Sequence, residues 1–353
     1  MRIEHKVPLA PLTTLQLGGE AARFAKVCTE DDLLDALQDA SDRGDAVLVL
    51  GGGSNLVVPD EGWPGLAIQM AIRSLDHEAT AGRVVLHLGA GEPWDETVAH
   101  CVAQGWMGVE CLAGIPGCAG ATPIQNVGAY GREVGEVLLD VRAWDREARA
   151  FVTMTREQCR LSYRHSIFKE QPHRWIITSI RLELREDSLA APVKYAELAR
   201  ALEVEEGGRA PLKLVGETIV RLRRSKGMVV DAADPESVSA GSYFTNPILE
   251  RDAWEALVQA VHARLGDQVS IPAWPSADAT WKVPAAWLIE RAGFAKGYCR
   301  GGVGISQKHA LALVNRGGTT GELLALEAEI VERVRERFGV TLSREPVLAR
   351  PAP

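Results

Sequence analysis

The chain is 353 residues long, 46% hydrophobic and 24% charged, with a net charge of −8 and an isoelectric point near 5.6. That length exceeds what one hydrophobic core usually serves, so about two or three domains are expected. The acidic balance argues against a nucleic-acid or acidic-membrane partner, either of which would want a basic face; Arg221-Leu222-Arg223-Arg224-Ser225-Lys226 is the local exception.

Met1 to Ala10 carries charges at Arg2, Glu4 and Lys6 with no long apolar run after them. Neither a signal peptide nor a membrane span is expected, and the chain is assigned to the cytoplasm. The six cysteines, Cys28, Cys101, Cys111, Cys118, Cys159 and Cys299, show no C-x-x-C and no nearby ligand spacing. They are expected as buried free thiols, without a zinc site or a disulfide framework.

Residues 12–27 read as a short strand and turn, with Leu15-Gln16-Leu17 leading into Gly18-Gly19. A helix follows, capped by Thr29 with Asp32 three residues on, striped by Leu33, Leu34, Leu37 and Ala40, and stopped at Gly44. Ala46 to Leu50 is predicted as a fully buried strand running into Gly51-Gly52-Gly53-Ser54-Asn55 and a second apolar piece, Leu56-Val57-Val58. A strand ending in a glycine turn often holds a phosphate in an α/β fold. The lysine and helix of a P-loop are missing here, and no G-x-G-x-x-G supports a Rossmann dinucleotide domain.

Val84 to Leu88 is the next predicted strand, and Trp94 to Gln104 a helix capped by Gly105. Residues 134–186 are strand-like, with Val137-Leu138-Leu139 and Trp175-Ile176-Ile177 framing a polar section. Residues 186–212 are charged and loop-rich, and composition shifts again after Lys226, where the best domain boundary falls. Three helices are expected beyond it: 253–265 capped by Asp252 with Glu255 completing a capping box, 284–292 opened by Pro284, and 321–338 capped by Thr320 with Leu323, Ile330, Val334 and Phe338 inward. Trp175, Trp281 and Trp287 read as core.

The run from Gly114 to Gly131 holds five glycines and two prolines among small or apolar residues and carries no charge. Such a rigid, side-chain-poor surface suits a flat or phosphorylated ligand, with backbone N–H groups for a diphosphate and Thr122, Gln125 and Asn126 as directed hydrogen bonders. A compact Ω-loop tying two layers together would have the same composition. Three polar groups stand apart from the element signals: Tyr163-Arg164-His165-Ser166, Gly241 to Pro247, and Glu345. An arginine near a carboxylate, with a hydroxyl donor opposite, can bind a carboxylic acid and stabilise charge beside it. Taken singly, Arg164 reads rather as a structural ion pair, Ser242 as a turn hydroxyl and Glu345 as a solvated residue. His165 reads as a structural hydrogen bonder.

Four ordered stretches together, 48–58 (LVLGGGSNLVV), 110–131 (ECLAGIPGCAGATPIQNVGAYG), 161–169 (LSYRHSIFK) and 241–247 (GSYFTNP), resemble the UDP-N-acetylenolpyruvoylglucosamine reductases of bacterial cell-wall synthesis over nearly the whole chain. The resemblance implies an α+β (mixed α/β) protein with a two-part FAD-binding domain of the vanillyl-alcohol-oxidase type and a smaller C-terminal α+β substrate-binding domain. It divides the chain into 1–72 joined by 341–353, 73–226, and 227–340. FAD is implied as bound cofactor, NADPH as co-substrate, a UDP-sugar as substrate, and a monomer as the working state.

The flavin-binding positions map onto Gly51, Gly52, Gly53, Ser54 and Asn55, and onto Gly117, Gly120, Thr122, Gln125, Asn126 and Gly128. Arg164, Ser242 and Glu345 fall on the catalytic positions. Tyr163, Tyr195, Lys226, Asn246 and His309 fall on substrate-binding ones, with Ala191-Pro192-Val193-Lys194-Tyr195 resembling the longer subtype's tyrosine loop. The implied reaction delivers hydride from reduced flavin to the enolpyruvyl C3, stabilises charge with Arg164 and Glu345, and protonates C2 from Ser242. Ala121 stands where a second hydroxyl is common, Thr245 where a lysine is common, and Pro346-Val347 follows Glu345 in place of Val-Arg. Two rivals remain at this level: another flavoenzyme of the same fold, or a non-catalytic nucleotide-binding protein, which would purify without yellow colour.

Overall fold

The computed structural model describes residues 1–275 and 278–351; residues 276–277 of the expected 227–340 unit and 352–353 of the expected C-terminal return lie outside them. Three principal sheets carry the architecture. The first has the order Ile3–Pro8, Glu20–Val27, Trp63–Met70, Val47–Leu50; its outer pair is antiparallel and the other two are parallel. The helix Glu30–Arg43 carries the chain across from Glu20–Val27 to Val47–Leu50, parallel strands that flank Trp63–Met70 on either side. Its first turn is closed reciprocally by Thr29 and Asp32, Gly44 ends it, and Leu33, Ala36 and Ala40 enter the same core as Ala25, Val27, Leu66 and Ile68.

The second sheet is antiparallel, in the order Ala150–Thr155, Leu138–Asp145, Trp175–Glu186, Arg83–Gly89, Leu75–Thr80. Along Trp175–Glu186 the buried Ile180, Leu182 and Leu184 alternate with more exposed residues, the period of two that a half-covered strand requires. The helices Trp94–Gln104 and Leu212–Ser225 pack against each other and add Trp94, Val98, Val215 and Ile219 to this core.

The third sheet, Ser239–Ser242, Ala312–Asn315, Val303–Ile305, Cys299–Arg300, is also antiparallel. The helix Thr320–Phe338 lays Leu323, Leu326, Ile330, Val334 and Phe338 into a separate core with Tyr243 and Phe244. The chain then returns to its first half, where Val347–Leu348 pairs in parallel with Leu56–Val57.

Several expectations need correction. Leu15-Gln16-Leu17 is not a strand: Asn315 Nδ2 donates to the Leu15 and Gln16 carbonyls, which therefore need no ladder, and Leu15 and Leu17 are buried in the C-terminal core. The strand actually begins at Glu20, and the strand Ile3–Pro8 beside it had no clear sequence signal. Val47–Leu50 is not fully buried, because it is an edge strand whose residues line a cavity; Val49 is 38% exposed.

The helix expected at 253 starts at Arg251. Asp252 lies inside its first turn, and Glu255 pairs with Arg251 at 3.1 Å instead of closing a capping box. Thr319, not Thr320, caps the last helix, since the Thr320 hydroxyl donates to the Val58 carbonyl at 2.6 Å and its N–H to Asp60. The stretch 186–212 contains the helix Ala196–Leu202, and the basic run belongs to the helix Leu212–Ser225 and its cap. The three tryptophans are only partly buried: Trp281 stacks on Trp254 and Arg174 covers Trp175. All six thiols are free, but Cys28 and Cys299 are exposed; burial pushes those of Cys101, Cys111 and Cys159 up to about 12.

Candidate active site

A cavity of about 810 Å³ lies where the three sheets approach one another. Val47 to Leu50 and the turn Gly51 to Asn55 line one side, and the glycine-rich run from Ile115 to Gly128 lines the next. The two loops nearly touch: a Cβ on Gly52 would stand 2.7 Å from Gly117 Cα, and one on Gly120 would stand 2.4 Å from Ala90 Cβ. Gly53 has φ 63°, and its missing Cβ would lie 2.0 Å from the Leu12 carbonyl. Glycine here is a packing requirement. Ser54 Oγ donates to the Pro116 carbonyl at 3.1 Å and Asn55 Nδ2 to Gln125 Oε1 at 3.1 Å, locking the loops edge to edge.

Arg164 enters from the segment 161–169. Ser162 and His165 exchange backbone hydrogen bonds, which puts Tyr163 and Arg164 at the tip of a tight turn and Arg164 at φ 54°. For a non-glycine residue that conformation costs about 1 kcal/mol. Two anchors hold the turn. Ser166 caps the short helix Ile167–Glu170 and donates to the Ile124 carbonyl, while Lys169 Nζ donates to the Arg164 carbonyl at 3.0 Å. Strain held by such over-determination points to a functional position.

Glu345 reaches the cavity from the returning segment, which pairs its N–H with the Tyr243 carbonyl at 2.9 Å, one residue beyond Ser242. Its Oε1 lies 2.7 Å from Arg164 Nε and accepts from Gln125 Nε2 at 3.3 Å. The Arg164 Nε–H is poorly aligned for this contact and has no other acceptor, while Nη2 donates to the Gly128 carbonyl at 3.2 Å. Glu345 is only 8% exposed, and burial raises its pKa despite Arg164 and Lys169, which pull it down. Burial likewise lowers that of Lys169, with Glu345 opposing and Arg164 assisting. Ser242 lines the same cavity. Arg164, Ser242, Glu345 and Gln125 thus converge from four parts of the chain beside the glycine wall.

Not every expected site residue faces that cavity. Asn126 is buried, and its amide is spent on Glu133, the Ser162 carbonyl and the Gly135 N–H. It therefore braces the Arg164 turn and offers no side-chain group to a cofactor. Thr122 lines the cavity, but its hydroxyl donates to the Ala119 carbonyl, which leaves only an acceptor. Tyr163, Arg164 and Asn246 line a second cavity of about 700 Å³. Lys282 Nζ lies 4.0 Å from the Tyr163 ring centre. Asn246 Oδ1 accepts from the Ala285 N–H.

Tyr195, Lys226 and His309 belong to a separate neighbourhood. Tyr195 meets Tyr130 edge-on, Lys226 pairs with Glu197 at 2.5 Å, and His309 is driven down to about 4 by burial and by Lys226 and Lys296. The imidazole is thus neutral at pH 7, and its Nδ1 accepts from the Leu311 N–H. Arg223 escaped the sequence reading. It lines the main cavity with its Nη2 on the Met228 carbonyl and its Nε buried without a partner, and burial lowers it to about 10. The available signal was a cation continuing the buried Val215, Ile219 stripe of its helix.

The apolar edge strand open to the cavity, the glycines that admit no Cβ, and the orphaned buried Nε of Arg223 fit a group that is flat, extended and anionic. A flavin dinucleotide has those properties, and its diphosphate would lie against the N–H-rich turns. Residues 21–153 match the FAD binding domain family, and residues 234–349 match the family described as UDP-N-acetylenolpyruvoylglucosamine reductase, C-terminal domain. The chain is 50% identical over 345 residues to the UDP-N-acetylenolpyruvoylglucosamine reductase of Streptomyces coelicolor, covering 97% of this chain and 89% of that one.

The chain belongs to the UDP-N-acetylenolpyruvoylglucosamine reductase family. It is 50% identical to the Thermobifida fusca member over 346 residues, covering 98% of this chain and 97% of that protein. The crystal structure of the Thermus caldophilus reductase, MurB, superposes with a TM-score of 0.67 at 26% identity and covers 99% of both chains. The fold is therefore the family's two-part FAD-binding domain of the vanillyl-alcohol-oxidase type with the C-terminal domain added. No helix among the described residues is long and apolar enough to cross a membrane, and no cluster of three or more candidate metal ligands occurs among them.

Proposed function

We propose that this chain is the FAD-dependent, NADPH-consuming reductase that converts enolpyruvyl-UDP-N-acetylglucosamine to UDP-N-acetylmuramate in peptidoglycan synthesis. The observation that carries the reading is the contact of Arg164 with Glu345 at 2.7 Å on the rim of a glycine-walled, dinucleotide-sized cavity that Ser242 also lines. FAD, when bound and reduced by NADPH, would supply the hydride for C3 of the enolpyruvyl group.

The residues do the rest. Arg164 turns its unaligned N–H toward the substrate carboxylate and stabilises charge developing at C2. Glu345, whose pKa burial raises, accepts from Gln125, and in its neutral form would donate a hydrogen bond to that carboxylate. Ser242 presents its proton to C2, where a carbanionic acceptor is basic enough to take it. Arg223 and the turn Gly51 to Asn55 would hold the cofactor's anionic part, while Gly117, Gly120, Thr122, Gln125 and Gly128 would form its wall. Asn126 serves this site as a brace.

For the sugar nucleotide, Tyr163 and Asn246 receive one end. Tyr195, Lys226 and neutral His309 receive the diphosphate after Lys226 exchanges Glu197 for it. The domain division that suits these roles is 1–72 with 341–353, 73–226, and 227–340, in a cytoplasmic monomer. The deciding experiment is anaerobic. Purified yellow protein should be bleached by NADPH and recover its absorbance only on adding the enolpyruvyl sugar nucleotide; recovery with neither substrate nor oxygen, or none with substrate, would overturn the reading.

A further inference from the structure

Ser242 and Glu345 are delivered by segments far apart in sequence, and each has a neighbour that points away from the main cavity. Tyr243, directly after Ser242, is fully buried and donates its hydroxyl to Glu327 Oε2 at 2.9 Å. Arg344, directly before Glu345, donates from Nε to Glu327 Oε1 at 3.1 Å. One carboxylate therefore spends its two oxygens on two different segments. The same segments are also joined by backbone: the Glu345 N–H donates to the Tyr243 carbonyl at 2.9 Å and the Thr245 N–H to the Ser343 carbonyl at 3.0 Å.

Ser242 is also paired to Ala312 in the third sheet and Val347–Leu348 to Leu56–Val57, so backbone fixes the register of each segment. Glu327 adds a side-chain tie between the two next to the reacting groups. It stands on the helix Thr320–Phe338, whose inner face is packed in the C-terminal core with Tyr243 and Phe244 and whose first turn is tied to Val58 and Asp60. None of Tyr243, Glu327 and Arg344 lines the main cavity; Arg344 lines the second one, whereas Glu327 and Tyr243 line neither and are not expected to touch the reacting atoms.

We propose that Glu327 is a positioning residue that clamps the Ser242 and Glu345 segments in one fixed geometry for the substrate half-reaction. The claim rests on the reading of Ser242 and Glu345 as reacting groups. A shift of a reacting group by about 1 Å is enough to slow a step by about a hundredfold. Glu327→Ala should therefore slow substrate-dependent re-oxidation of reduced flavin by between about tenfold and a hundredfold per bound flavin, while NADPH reduction stays within about twofold. Tyr243→Phe, which removes only one hydroxyl from the clamp, should show a smaller loss in the same half-reaction.

The measurement is stopped-flow flavin absorbance in each half-reaction, normalised to flavin content, with substrate Kd recorded in parallel. A merely structural carboxylate would lower flavin content and thermal stability but leave the per-flavin rates alone. Glu327→Ala re-oxidising at the wild-type rate, or losing both half-reactions in equal proportion, overturns the clamp; if that variant does not fold, Tyr243→Phe is judged by the same two outcomes. Ser242→Ala separates the layers: a wild-type rate there removes the underlying reading, whereas a slow Ser242→Ala beside an unaffected Glu327→Ala removes the clamp alone.

Discussion

The glycine wall and the reacting cluster share one cavity but are built by opposite means. The wall is backbone brought so close that side chains are excluded, as at Gly52 against Gly117 and Gly120 against Ala90. The cluster is side chains, Arg164, Gln125, Ser242 and Glu345, held at the ends of separate segments. A wall made of backbone fails as a structure, whereas a cluster made of side chains can fail in chemistry with the fold intact. That difference should be visible in which property each substitution removes.

The largest effect should come from the wall. Gly53→Val would force a branched side chain into positive φ and onto the Leu12 carbonyl, a combined cost of roughly 3–5 kcal/mol. The expected result is protein without yellow colour and with a melting temperature well below wild type; full flavin occupancy would show that the loop can move aside. Next, Arg164→Lys should keep its flavin and its melting temperature but lose about two to three orders of magnitude in re-oxidation by substrate, since lysine lacks the planar donor fork.

Glu345→Gln tests charge within the cluster. The raised pKa of Glu345 means that its neutral, donating form persists above 4.5 and is lost as pH rises through the folded value. Re-oxidation in the wild type should fall across that window, and the glutamine variant, about tenfold slower at its best, should lack the fall. An unchanged pH profile would remove Glu345 as a donor.

Two smaller effects lie outside both regions. Glu197→Gln releases Lys226 from its partner and should tighten UDP binding several-fold, read by titration calorimetry. For His309 the sign follows from a lowered value: the unfolded chain takes up a proton below 6.5 while the folded protein resists until about 4, so stability is lost as pH falls through that interval. His309→Gln should reduce this acid-side loss by roughly 1–2 kcal/mol in denaturant titrations at pH 7 and pH 4.

The same contrast explains what could be read from the sequence. The helix Glu30–Arg43 and the helix Trp94–Gln104 were legible because caps and stripes are local, and the wall was conspicuous because its glycines cluster in one short stretch of the chain. Nothing local joined Arg164 to Glu345; the motif resemblance named them, and only the fold brings them to 2.7 Å. Asn126 was misread because an amide in a glycine-rich loop looks available until Glu133, Ser162 and Gly135 are seen to use it. Arg223 was passed over because a basic run reads as a solvated face, and the burial of one member depends on a helix that tertiary packing defines.

The pairing of Val347–Leu348 with Leu56–Val57 also sets an order of events. A ribosome releases the strand beside the Gly51 to Asn55 turn long before its partner, so until residues 347–348 emerge that turn has an open flank. Cofactor capture is therefore expected to wait for that pairing. Nascent chains stalled before residue 345 should fold their first helices yet stay colourless, and release past 349 should let the flavin in.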